Sequence, residues 1–258
     1  MDKPRYYHDM TLKGRVALVT GAARGIGRAC ALAMAEAGAD IALGLRDIVS
    51  DAGLREEIEQ LGRRALPLQM DMQRMDQIKR AVEYTVAGFG RIDILVNNAG
   101  IAPANRIEDY TEEDFDRTVA VNLKGTYFAS QAAGRHMIRQ GWGRIVNLSS
   151  QAGFIALPEE SVYCMTKAGI THLTRCFAAE WAKHGININA VAPTFIETPG
   201  TEPWLADPAF REKVLSSILL KKIGDPVDVA TAVLYLASPA GDMITGSTLL
   251  IDGGWTAV

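Results

Sequence analysis

Apolar residues in this chain come in short blocks, each followed by a glycine-rich or polar stretch and then by a segment of helical spacing. The first block, residues 15–20, is a compact run with β-branched members, as expected of a buried strand. Similar blocks recur at 40–45, 65–70, 92–96, 143–148, 186–191 and 246–251, which predicts seven strands. Helical spacing fills the intervals at about 25–37, 51–61, 74–87, 111–137 and 161–184, with an amphipathic helix near 209–219. Gly38 stops the first of these, and Thr111 with Asp114 has capping-box spacing at the start of the fourth. Strand and helix in alternation predict an α/β fold. It is a single doubly wound, Rossmann-type domain over residues 1–258, with a seven-stranded parallel sheet, right-handed crossovers and helices on both faces. No repeat, linker or low-complexity segment interrupts it.

Composition narrows the partners. The 258 residues are 48% hydrophobic and 22% charged, ordinary for a globular chain with a sizeable core. A net charge of -3 gives no electrostatic case for nucleic acid or a membrane surface. No apolar run approaches the roughly 20 residues of a membrane span, and residues 1–13 lack the apolar segment of a secretion signal. Cys30, Cys164 and Cys176 are too scattered for a disulfide framework and read as buried small hydrophobes in a reducing compartment. The four histidines form no metal-binding group. Together these features place the protein in the cytoplasm, with no nucleic acid, membrane or metal partner.

The chemistry gathers where strands end. The first strand runs into Gly21-Ala22-Ala23-Arg24-Gly25-Ile26-Gly27 and then a helix, the context in which glycines let a backbone approach a pyrophosphate at a helix N-terminus. The spacing is Gly-x-x-x-Gly-x-Gly rather than the general Gly-x-Gly-x-x-Gly. Asp71, Asn98 and Ser150 also stand at strand C-termini, where ligands of such sheets bind. Tyr163 and Lys167 lie four apart, on one helical face. An ammonium about 4 Å from a phenol, at an effective dielectric of about 20, favours the phenolate by roughly 4 kcal/mol. That lowers its pKa by about 3 and brings a group of reference pKa about 10 towards neutrality.

These residues carry a resemblance. Thr20-Gly21-x-x-x-Gly25-Ile26-Gly27, Asn97-Asn98-Ala99-Gly100, Asn122, Ser150, Tyr163-x-x-x-Lys167 and the Pro193 segment, in that order, resemble the short-chain dehydrogenase/reductase family from about residue 11 to the end. The resemblance implies an NAD(P)-dependent enzyme acting on CH–OH groups, which transfers a hydride between nicotinamide and a carbonyl or secondary alcohol. Tyr163 is implied as general acid/base and Lys167 as the group that lowers its pKa and holds the nicotinamide ribose. Ser150 is implied to bind the carbonyl oxygen, and Asn122 to hold a water behind Lys167. Ser150 is preferred to Ser149 because the family's serine lies thirteen residues before its tyrosine. Cofactor contacts implied beside the glycine loop are Asp71 and Met72 at the adenine and Asn98, Ala99 and Gly100 at the adenosine ribose. Pro193, Ile196 and Thr198 are implied at the nicotinamide. The family also implies a homotetramer. All four catalytic positions are filled, which argues against a regulator that binds nucleotide without turnover.

Two points distinguish this chain within the resemblance. At the end of the second strand the family's acidic position holds Leu45, followed by Arg46, and Arg24 precedes Gly25. Two guanidiniums and no carboxylate favour NADP(H), with NAD(H) as the alternative and Asp47 as the residue that would support it. After the sixth strand the family's Pro-Gly is Pro193-Thr194 here, which puts the backbone path at the nicotinamide in question. Residues 195–220, with Trp204, read as a substrate lid. Glu159 and Glu160 are placed to meet sugar hydroxyls. The chain is similar both to 3-oxoacyl-carrier-protein reductases and to sugar or polyol dehydrogenases of the family, and its residues leave the two open.

Overall fold

A computed structural model describes residues 7–49, 51 and 53–257. Seven strands form one sheet: β1 Val16–Thr20, β2 Asp40–Leu45, β3 Ala65–Gln69, β4 Ile94–Asn97, β5 Gly143–Leu148, β6 Ile186–Pro193 and β7 Thr248–Ile251. Their order is β3-β2-β1-β4-β5-β6-β7, and every neighbouring pair is parallel. The order reverses between β1 and β4, and the crevice at that switch point is where such sheets receive ligands.

Nine α-helices flank the sheet among the described residues: α1 Gly25–Glu36, α2 Leu54–Gln60, α3 Met75–Phe89, α4 Glu112–Val119, α5 Gly125–Gln140, α6 Ser161–Trp181, α7 Glu202–Leu205, α8 Pro208–Ser217 and α9 Pro226–Ala237. Alternate residues of the strands feed two cores. On one face Val19, Ile41, Leu43 and Val96 meet Cys30 and Met34 of α1 and Val229 and Val233 of α9. On the other, Leu18, Ala42, Leu95 and Ile145 meet Ile78 of α3, Met137 of α5 and Phe177 of α6. Burial on both faces explains why the inner strands read as unbroken apolar runs. A third, smaller cluster of Leu205, Val214, Ile218 and Ile223 gives residues 195–225 a core of their own.

Three expectations are corrected. The helix placed at 111–137 is two helices joined by a π turn, Ala120–Lys124. Thr111 does cap α4, its hydroxyl accepting the Asp114 amide at 3.1 Å. Cys176 is exposed and Cys164 half-buried; only Cys30 is a core residue. The substitution of Thr194 for glycine costs no left-handed backbone, because among the described residues only Glu159 and Lys221 are non-glycines with positive φ. Thr194 instead donates its amide to the Ile251 carbonyl at 3.1 Å, continuing the β6–β7 ladder.

Candidate active site

The glycine loop turns sharply out of β1. Gly21 and Gly25 have φ of 65 and 57°, in the region L side chains avoid. Gly27 is fixed by space: a Cβ there would lie 2.3 Å from the Gly21 carbonyl oxygen and 2.4 Å from Asn98 Nδ2. Asn98 donates to the carbonyls of Thr20 and Gly21 at 2.9 and 3.1 Å, and the Thr20 hydroxyl accepts the amides of Asn98 and Ala99, each at 3.0 Å. The ends of β1 and β4 are thereby laced across the switch point. Arg24 stands at the N-cap of α1 and no side chain caps that helix, so its first amides and positive dipole end face the loop. A glycine cradle opening on an uncapped helix N-terminus fits a dinucleotide pyrophosphate.

Around this loop the other expected cofactor residues take three positions. Leu45 closes β2 with its side chain buried, while Arg46 and Arg24 are exposed. Asp71 follows β3, its carboxylate accepting the Gln73 amide at 2.9 Å, and Met72 is buried beside Gly125. Beyond Pro193 at the end of β6, Ile196 is buried and bridges to Gly224. Thr198 packs on the glycine loop, 3.3 Å from where a Cβ on Gly25 would stand, and its hydroxyl pairs with that of Thr201 at 3.1 Å. The Thr198 hydroxyl thus already has a partner within the chain.

The four residues expected to be catalytic converge on the far side of the switch point, at the C-terminal ends of β4 and β5. Ser150 follows β5 and accepts the Ala152 amide at 3.1 Å, and its hydroxyl acts on the phenol of Tyr163, favouring the phenolate. Ser149 points elsewhere, to the Lys167 carbonyl at 3.0 Å and the Thr171 hydroxyl at 2.8 Å, so of the two serines it is Ser150 that meets the tyrosine. Lys167, 4% exposed, donates its ammonium to the Leu148 carbonyl at 2.6 Å, with Nζ 5.5 Å from the Tyr163 ring centroid. Asn122 lies in the π turn, fully buried. It exchanges hydrogen bonds with both backbone groups of Ile101 at 2.9 Å and donates to Thr166 Oγ1 at 3.1 Å. A side chain from a regular helix would emerge at a different angle, and single π turns recur at functional sites for this reason. Gly100 faces the cluster: a Cβ there would lie 3.4 Å from Asn122 Oδ1 and 3.7 Å from Lys167 Nζ.

Electrostatics differ from the expectation drawn from Tyr-x-x-x-Lys spacing. Burial pushes Tyr163 up to about 12, outweighing the opposite influence of the Ser150 hydroxyl, and burial pushes Lys167 down to about 8. The phenol therefore holds its proton at neutral pH, and Lys167 becomes cationic only as pH falls below about 8. Burying a lysine that must charge is costly, with a definite sign. The unfolded chain binds the proton from about 10.4 downwards and the folded chain only from about 8, so stability rises with pH across that window. Lys167→Met is expected to stabilise the free protein by about 2 kcal/mol below pH 8, after loss of the Leu148 hydrogen bond. The gain should shrink as pH is raised towards 10, which melting curves at several pH values will check.

A parallel sheet with a pyrophosphate cradle on one side of its switch point and a Ser-Tyr-Lys-Asn group on the other is the build of a nicotinamide-dependent oxidoreductase acting on CH–OH groups. Known proteins agree. The family described as enoyl-(acyl carrier protein) reductase matches residues 21–256. The 2-dehydro-3-deoxy-D-gluconate 5-dehydrogenase of Escherichia coli is 40% identical over 248 residues, 96% of this chain and 97% of that one. The 3-oxoacyl-[acyl-carrier-protein] reductase FabG of Thermotoga maritima is 43% identical over 245 residues, 95% and 99% of the two chains. A gluconate 5-dehydrogenase from Burkholderia cenocepacia, solved with NADP and tartrate, superposes with a TM-score of 0.93 at 35% identity, covering 96% of this chain and 98% of that one. The chain belongs to the short-chain dehydrogenase/reductase family.

Proposed function

We propose that the protein moves a hydride between NADP(H) and a secondary alcohol or ketone of a small polyhydroxylated molecule, with Tyr163 as the proton donor and acceptor. The observation that carries this is the convergence of three side chains at the end of β5: Ser150, whose hydroxyl acts on the Tyr163 phenol, Tyr163 itself, and buried Lys167 one helical turn on, with Nζ 5.5 Å from the Tyr163 ring centroid. When bound, the nicotinamide supplies or takes the hydride. Ser150 and Tyr163 hold the carbonyl oxygen as charge develops on it. Tyr163, protonated at neutral pH, is set to give its proton in the reductive direction. Lys167 supports the phenolate that forms, and Asn122 braces the loop after β4 against α6. Both ends of the Asn122 side-chain amide are engaged, and its backbone carbonyl accepts the Thr126 hydroxyl at 2.7 Å.

Residues 195–220 are read as the substrate lid, and exposed Phe115, Tyr127 and Met165 with the β7 edge fit a homotetramer. Two relatives name different substrates, a sugar acid and a carrier-bound 3-oxoacyl chain. The sugar-type reading is favoured because the basic residues that might grip a carrier are dispersed. Arg139 pairs with His136 at the opposite edge of the sheet, Lys221 holds the Ser216 carbonyl and Lys222 faces Asp228.

NADP(H) is preferred because Arg24 and Arg46 flank the place of a 2′-phosphate while Leu45 offers it no negative charge. Arg46→Asp is expected to reverse the NADP/NAD ratio of kcat/KM by about 10- to 100-fold. An unchanged ratio means the phosphate is read elsewhere. Thermal shifts with NADPH and NADH, followed by a panel of ketones and alcohols, test the assignment as a whole.

A further inference from the structure

Glu160 carries a carboxylate at this site that the reaction above leaves without a task. It stands just before α6, and its carbonyl accepts the Cys164 amide at 2.8 Å, so the helical register already runs through it. Residues 160, 163 and 167 are therefore three and four apart on one stripe of the helix. Along this stripe Lys167 holds the Leu148 carbonyl at the end of β5, and Glu160 stands at the other end, at the N-cap of α6 beside the first turn that carries the phenol. The negative charge of Glu160 acts directly on Tyr163, raising its pKa.

The group is also held in place yet unsatisfied. Glu159, its neighbour, has φ of 68°, a conformation that costs a non-glycine residue free energy. The Glu159 carbonyl accepts the Asn105 amide at 2.8 Å, tying the loop before α6 to the chain after β4. Glu160 itself is half-buried, and burial raises its pKa with no hydrogen bond or cation to offset it. Its side chain caps no helix amide. A carboxylate withdrawn from water needs donors, and here the protein supplies none.

We propose that Glu160 is a substrate-recognition residue, whose carboxylate receives a hydroxyl of the substrate near the reacting carbon and repels substrates that carry a carboxylate there. The substrate class is then a neutral polyhydroxy ketone or alcohol rather than a sugar acid. This rests on the oxidoreductase reading above.

The test uses a matched pair with NADPH, D-fructose as the neutral ketose and 2-keto-D-gluconate as the acid, which differ only at the carbon next to the ketone, on the wild type, Glu160→Gln and Glu160→Lys. The wild type is expected to favour the ketose by about tenfold or more in kcat/KM, the scale of a like-charge clash at a contact. Glu160→Gln should raise KM for the ketose and bring the two substrates within about threefold, and Glu160→Lys should reverse the order. Because Glu160 caps nothing, both variants should melt near the wild type, and equal NADPH affinity will confirm an intact site. A wild type that prefers the acid, or a ratio untouched by both substitutions, overturns the assignment of Glu160 alone. Failure of the wild type to turn over either substrate overturns the polyol reading, and the assignment falls with it.

Discussion

Tyr163→Phe is expected to lower kcat by about 10²- to 10⁴-fold while changing the Kd for NADP(H) by less than about threefold, because proton transfer by one positioned group contributes on that scale. The reasoning follows from the geometry. The phenol is the group that Ser150 engages, and its proton is firmly held at neutral pH. The cradle of Gly21, Gly25 and Gly27 is fixed independently by Thr20 and Asn98. Phenylalanine keeps the ring and its packing, so the loss should fall on turnover alone. Single-turnover kinetics with NADPH, paired with calorimetric titration of the nucleotide, separates the two quantities. A variant that keeps more than a tenth of wild-type kcat excludes Tyr163 as the proton donor.

Asp93→Ala should unfold the protein more readily without touching catalysis. Asp93 lies just before β4 at the N-terminal edge of the sheet, opposite the active site, and is wholly buried. It accepts the Val16 amide at 2.9 Å, Arg15 at 3.2 Å and Arg91 at 2.7 and 2.6 Å. The Arg15 guanidinium lies 3.6 Å over the ring of Trp142, and Arg144, 4% exposed, lies 4.4 Å over the same ring and pairs with Asp242 at 2.5 Å. Loss of the carboxylate strands a buried amide and leaves Arg15 and Arg91 without their counter-charge, beside an Arg144 that has Asp242 alone. We expect a cost of about 3 kcal/mol, the lower end for a broken buried pair, because Arg15 and Arg91 keep partial access to water. At roughly 2–4 °C per kcal/mol for a chain near this size, the melting temperature should fall by about 6–12 °C. Calorimetry with kcat measured well below the transition checks both halves. A loss under about 1 kcal/mol would mean that water replaces the carboxylate at this edge.

The strands were legible because six of them are apolar blocks ended by glycine or polar turns, and Gly143–Leu148 agrees to the residue. The helix Pro226–Ala237 was not. Its Val-x-Val-x-x-Ala-Val-Leu-x-Leu run is apolar on nearly every side because it packs against both α1 and the sheet, so no 3.6 period stands out. The usable signal was local: Asp225 and Asp228 form a complete capping box around Pro226 at the first helical position. The π turn left no mark in the pattern either, since one extra residue per turn shifts the phase without changing composition. In the site, residue identity pointed to the serine, tyrosine and lysine together, but not to their protonation. Spacing gives the distance between two charges and says nothing of how much water each loses, and that loss reverses the direction at Tyr163. The role of Asn98 as a lace between strand ends, with Thr20, likewise depends on which strands are neighbours in the sheet.

The packing of α1 against α9 has a consequence for synthesis. The glycine crook and the helix that follows it leave the ribosome long before α9, the wall they lean on, and β7 comes later still. A nascent chain therefore has no finished nucleotide grip until α9 and β7 have been made. Prematurely terminated products should be unable to load cofactor, and so lack the ligand stabilisation that would shield a full-length molecule from proteases.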